Sequence, residues 1–151
     1  MKFQLLLGSL LIIGFSACGI STMLAPHQTA LQKAAYNTPA PEAKMDILGE
    51  TLVKVMDETL RFGSTRKSVK YVERFSQENE EVIKVILKDL EAHTNQLGML
   101  DKVSFYSGLL QKDYARRMVT LVPKFERKVG RKAKTFALLG RGLKLFNPLK
   151  K

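Results

Sequence analysis

Apolar side chains recur every three or four positions over residues 42–122, which is the spacing of one face of an α-helix. The first stripe consists of Met45, Leu48, Leu52, Val55 or Met56, and Thr59 or Leu60. Pro41 suits the first position of a helix, and Gly63 suits its end. No stretch after residue 42 alternates convincingly with a period of two. The pattern therefore predicts an all-α domain without appreciable sheet.

A second and longer stripe begins after Ser64, a residue type that caps the amino end of helices. Its apolar positions are Val69, Val72, Phe75, Val82, Ile86, Leu90 and Leu97. The stripe crosses two polar positions, Asn79 and His93. Either one helix spans about residues 65–96 and buries Asn79, or Ser76 caps a new helix. We favour the single helix.

A third stripe begins near Asp101 and has its apolar positions at Val103, Tyr106, Leu110, Tyr114, Met118 and Leu121. Pro123 is expected to end or kink this helix. At 151 residues the chain has room for one substantial core. Residues 42–122 are therefore predicted to form a small bundle of three or four helices with short connections.

Positive charge is concentrated in the carboxyl-terminal segment, residues 123–151. The chain carries 25 Lys and Arg against 14 Asp and Glu, a net charge of +11, and ten of the basic residues with one acidic residue lie after Pro123. Apolar residues again recur every three or four positions, which predicts a basic amphipathic helix.

Two interpretations of this segment stay open, since a membrane-surface helix and a last bundle helix need the same stripe. We expect core packing for residues 125–136 and surface contact for residues 138–151. The basic residues expected to contact a membrane or a partner are Arg131, Lys132, Lys134, Arg141, Lys144, Lys150 and Lys151.

The amino-terminal residues 1–17 have the features of an export signal: a positive charge at Lys2, an apolar run over residues 5–15, and small residues after it. The run is too short for a transmembrane helix, which needs ~20 residues. Ser16 and Ala17 stand directly before Cys18. This arrangement resembles the lipobox of bacterial lipoproteins.

The resemblance implies cleavage before Cys18, a diacylglyceryl group on its thiol, and acylation of the new amine by a fatty acid such as palmitate. A cysteine thiolate is the nucleophile best suited to such alkylation. Two or more acyl chains anchor a protein stably, whereas one chain binds only marginally. The resemblance thus implies a protein of the bacterial cell envelope, lipid-anchored to a membrane and exposed outside the cytoplasm. An ordinary cleaved signal and an uncleaved anchor are the alternatives.

Residues 18–41 mix small and polar residues with Pro26, Pro39 and Pro41. Because proline disfavours a helical residue before it, we expect an extended backbone around the last two prolines. A short helix over residues 24–36 is compatible with the sequence but not required by it. The segment is therefore predicted to be the lipidated amino terminus followed by a flexible tether.

The sequence offers little catalytic chemistry. It has one cysteine and two histidines, and it lacks a glycine-rich phosphate loop and the common hydrolase and metalloprotease motifs. Asp89 and His93 are four residues apart and can face each other on a helix, but two ligands do not make a zinc site. We therefore expect no enzyme, no metal and no cofactor.

These features together predict a non-enzymatic envelope lipoprotein that acts as a helical interaction or structural module through its basic carboxyl-terminal segment. The alternative is a carrier of lipid or another small ligand, with an apolar cavity inside the bundle. The expected partners are the membrane, through the lipid anchor, and an anionic lipid, an acidic envelope polymer or an envelope protein. Nucleic acid, the other common partner of basic segments, is not expected for an exported protein.

Overall fold

Five α-helices follow one another in the computed structural model, which describes the backbone of residues 3–130 and the side chains of residues 19–130. No strand occurs among these residues, so the predicted all-α class is confirmed, while the predicted number of three or four helices is too low. The helices are α1 (Phe3–Asn37), α2 (Pro41–Arg61), α3 (Thr65–Gln96), α4 (Met99–Gln111) and α5 (Asp113–Val129).

Helix α2 is the centre of the bundle and packs against α1, α3 and α5. It begins as the sequence predicts, with Pro41 in the first turn and Glu42 beside the positive end of the helix dipole. Ten of its 21 residues are buried, including every position of the predicted stripe from Met45 to Thr59. Burial on more than one face is what a helix surrounded by three others requires.

Contacts between side chains establish the helix directions. His27 of α1 meets Glu58 of α2, and the carbonyl of Ala35 meets Lys44, so α1 and α2 are antiparallel. Helix α3 is likewise antiparallel to α2, whereas α5 is parallel to it, since Tyr114 meets Asp46 and Lys128 meets Phe62.

The bundle therefore has two distinct ends. We call the end that contains Gly19, the α2–α3 turn and the last turn of α5 the basal end. The opposite end, which contains the α1–α2 and α3–α4 turns, is the distal end.

Helix α1 differs from the flexible tether that was predicted for residues 18–41. Leu24, Leu31 and Ala34 are completely buried in the core, and Pro26 lies inside the helix. A proline inside a helix costs ~3 kcal/mol, but fully burying each leucine contributes ~1.5–3 kcal/mol. The buried positions from Leu24 to Ala34 and Ala35 follow the helical spacing of three and four residues. The three prolines in residues 18–41 made this spacing difficult to recognise in the sequence.

Helix α3 is the single continuous helix that we favoured over a break at Ser76. The Ser64 hydroxyl accepts a hydrogen bond from the backbone N–H of Lys67, which is the predicted amino-terminal cap. Asn79 is completely buried, and its side chain donates to the carbonyl of Phe75 at 2.8 Å.

The predicted third helix is divided in two at Lys112, whose backbone is extended. Val103 and Leu110, both expected on the inner face, are 59% and 50% exposed. The register of the stripe cannot continue through an extended residue. Tyr114 and Met118 are buried in the core, whereas the earlier Tyr106 is only partly buried against it. Pro123 lies within α5 and does not end it.

Gly130 ends α5 with φ of +73°, a left-handed conformation that glycine adopts without strain, and its N–H donates to the carbonyl of Glu126. Phe125 and Val129 are buried, as expected for the start of the carboxyl-terminal segment. The rest of the predicted basic amphipathic helix, residues 131–151, lies outside the described residues.

Candidate functional site

The basal end brings together parts of the chain that are far apart in sequence. Gly19 and Met23 of α1 border the same cleft as Phe62 and Ser64 of the α2–α3 turn. The Nζ atom of Lys128, near the end of α5, donates to the Phe62 carbonyl oxygen at 2.8 Å. The residue after Cys18 and the last turn before the basic segment are thus at the same end of the bundle.

A groove of about 520 Å³ opens at this end. Its apolar part is formed by Ile20, Met23 and Phe62, and the Phe62 ring also contacts the ring of Tyr71 with a centroid distance of 5.2 Å. The basic residues Arg66, Lys67 and Lys70 line the other side and are exposed. We call this feature the basal groove.

Cations around the groove lack local neutralisation. No carboxylate in the described part of the chain forms an ion pair with Arg66, Lys67 or Lys70. The first turn of α3 contains no acidic residue, although this is where the helix dipole favours one. Further basic residues of the basal end are Arg61, Lys124, Arg127 and Lys128, against one acidic residue in the last turns of α5, Glu126. The basal end is therefore a positively charged surface.

A buried polar cluster lies beneath the basal groove and joins three helices. An Oε2 atom of Glu58 accepts a hydrogen bond from the Tyr71 hydroxyl and lies 2.8 Å from Nε2 of His27. Burial, together with the neighbouring Glu58 carboxylate, raises the pKa of Tyr71 well above its ordinary value. Because His27 and Tyr71 are buried, the cluster has the properties of a structural connection between α1, α2 and α3.

A second polar cluster connects α5 to α2. The Asp46 carboxylate accepts from the Tyr114 hydroxyl at 3.0 Å and from Lys112 at 2.9 Å. Burial, with Asp46 beside it, raises the pKa of Tyr114 above its ordinary value. Three residues after Tyr114, Arg117 of α5 forms an ion pair with Asp57 of α2. These contacts set the position of α5 and hence where the carboxyl-terminal segment begins.

Asp89 and His93 do not form a pair. The Asp89 carboxylate forms an ion pair with the largely buried Lys44 of α2, and the His93 ring packs edge-on against Phe105 at 5.7 Å. His93 also lines a distal cleft of about 390 Å³ between α3 and α4. Within residues 19–130, no three His, Cys, Asp or Glu side chains are grouped closely enough to hold a metal ion.

The predicted site residues themselves lie outside what the structure describes. This holds for the side chain of Cys18 and for all seven basic residues predicted as contacts, from Arg131 to Lys151. The sequence did not predict the basal groove, because its residues come from separate segments near positions 20, 62 and 67. Only the antiparallel return of α2 and α3 brings them together.

Membrane-spanning character and relatedness to known proteins both bear on the identity of this site. No helix among the described residues combines the length and the apolar character needed to cross a membrane. Searches of protein-family models, of curated proteins and of solved structures find nothing that matches the chain. Conclusions about function therefore depend on this chain's own residues.

Proposed function

We propose that the protein is a lipid-anchored lipoprotein of the bacterial envelope, in which a rigid helical bundle acts as a non-enzymatic interaction or structural module. The observation that carries the proposal is the Ser16-Ala17-Cys18 sequence after a short apolar run. Acyl chains on Cys18 would hold the mature chain, 18–151, at a membrane surface.

The position of Gly19 supports this proposal. Since Gly19 lies at the basal end, acyl chains on the preceding residue would bring that end to the bilayer. The basic segment after Gly130 begins at the same end, so its seven basic residues would start close to the same surface. Each Lys or Arg near an anionic membrane contributes about 1 kcal/mol of attraction.

The interior of the bundle supports an interaction module over a carrier. A carrier needs an apolar cavity among its helices. At the centre of the bundle, Leu52, Tyr71 and Phe75 are instead at most 2% exposed, and their side chains belong to one continuous core cluster. The two clefts described above open at the surface, at opposite ends of the bundle.

The test is a mass measurement of the amino terminus of the full chain expressed in a bacterium that processes lipoproteins. The proposal expects a mature chain that begins at Cys18 and carries the mass of its acyl groups, found in the membrane fraction. Cys18→Ala should abolish that mass and leave the signal uncleaved or the protein released. Ser21→Ala, just beyond the motif, is the matched control and should be processed normally. An unmodified amino terminus at Gly19 in the native protein would refute the proposal.

A further inference from the structure

We infer that the basal groove binds an anionic phospholipid of the bilayer surface, so that the bundle stands on the membrane by its basal end. Arg66, Lys67 and Lys70 would contact the phosphate groups, while Ile20, Met23 and Phe62 face the upper acyl chains. This inference rests on the proposed anchoring at Cys18, and it adds a second, non-covalent contact with the same membrane.

The two sides of the groove match the two parts of a phospholipid. Ile20 and Phe62 are half-buried, and Met23 is exposed, so apolar surface remains accessible beside the cations. Amphipathic surfaces of this kind enter the boundary between headgroups and acyl chains. The lining has three cations and no carboxylate, which selects an anionic ligand over a zwitterionic or a cationic one.

Distance along the chain favours the membrane over another partner. A helix rises 1.5 Å per residue, so Met23 is only about 7.5 Å along the α1 axis from Cys18. If Cys18 is acylated, the anchor holds the groove within reach of the headgroup layer, where a protein or polymer partner would have to compete with lipid. Charge complementarity and proximity thus point to the same occupant.

The experiment measures the orientation of the full chain reconstituted into vesicles. A nitroxide spin label is attached at Ser64→Cys, beside the groove, and separately at Leu100→Cys, which is on α4 at the distal end and 84% exposed in the native residue. Collision with oxygen, which concentrates in lipid, is compared with collision with a water-soluble nickel complex. Vesicles contain phosphatidylglycerol with phosphatidylethanolamine, or phosphatidylcholine alone.

In the anionic vesicles we expect the Ser64 label to collide mainly with oxygen and the Leu100 label mainly with the nickel complex. Replacing Arg66, Lys67 and Lys70 together with Gln should raise collision of the Ser64 label with nickel severalfold. The matched control replaces Lys33, Lys88 and Lys102 with Gln, an equal change of charge away from the basal end, and should leave the label in lipid. Five of the six residues are exposed and Lys102 is half-buried, and circular dichroism checks that each variant is folded.

The inference is overturned if the Ser64 label is as accessible to nickel as the Leu100 label, or if the basal and control variants behave alike. A Ser64 label that enters lipid equally in phosphatidylcholine would also overturn it, because charge would then play no part. Failure of the proposed anchoring is seen separately. An unacylated Cys18 thiol takes a second label, which the mass of the labelled protein reveals.

Discussion

Replacing Leu31 with Ala tests whether α1 belongs to the bundle. Leu31 is completely buried in the core, although its segment looks like a tether in the sequence. Leu→Ala substitutions in a core cost about 2–5 kcal/mol, from lost burial and from the cavity that remains. In a flexible tether the same substitution would cost almost nothing, since the side chain would be in water in both the folded and the unfolded chain.

Urea unfolding followed by circular dichroism measures the loss. Small domains lose ~1–3 kcal/mol of stability per molar urea, so the midpoint for Leu31→Ala should fall by roughly 1–3 M. Tyr36→Ala is the control on the same helix: Tyr36 is 64% exposed, and surface substitutions change stability by about 0.5 kcal/mol or less. Equal midpoints for the two variants would show that α1 does not pack on the bundle, and would remove the basal groove with it.

Two further predictions concern buried polar groups. Because the folded-state pKa of Tyr71 is raised, the contribution of its hydroxyl to stability is complete below about pH 10 and is lost as the unfolded chain ionises above that pH. At neutral pH, Tyr71→Phe should therefore be less stable than the wild-type protein by about 1 kcal/mol. Between about pH 9 and pH 11, the melting temperature of the variant should fall less than that of the wild-type protein. The Oδ1 atom of Asn79 is buried and accepts no hydrogen bond from any described residue, so Asn79→Leu should raise the urea midpoint, and a fall would show that this amide has a structural role that its contacts do not reveal.

Local signals in the sequence were sufficient for α2 and α3. Pro41 and Ser64 stand where α2 and α3 begin, and the apolar stripes of both helices keep the spacing of three or four residues. Local and tertiary preferences therefore agree. They were insufficient for α1, where Pro26 and the small and polar residues around it gave no sign that Leu24 and Leu31 are buried. Propensity is a weak guide wherever tertiary packing contributes several kcal/mol.

The α4–α5 break and the basal groove were not predictable for a different reason. Lysine is not a residue type that favours turns, so Lys112 gives no local signal of a break. Its extended backbone is accompanied by a contact with a residue far away in sequence, the ion pair with Asp46. The basal groove likewise depends on helix directions. In the sequence, the basic residues of the first turns of α3 are typical of a solvated helix start. In the structure, α1 places Ile20 and Met23 beside them.

A close approach between α2 and α5, at Gly49, provides the last prediction. A Cβ atom on Gly49 would lie 2.5 Å and 2.6 Å from Cδ2 and Cε2 of the Tyr114 ring, closer than real contacts allow. Gly→Ala inside a helix ordinarily gains about 1 kcal/mol, but overpacking a core costs about 1–3 kcal/mol. The Tyr114 ring is held by its hydroxyl on Asp46, so the clash should prevail and Gly49→Ala should lower the urea midpoint. Gly108→Ala on α4, where a Cβ would meet no atom within 4 Å, should raise it. If both variants are stabilised, α5 does not approach α2 as closely as described, and the start of the basic segment need not be at the basal end.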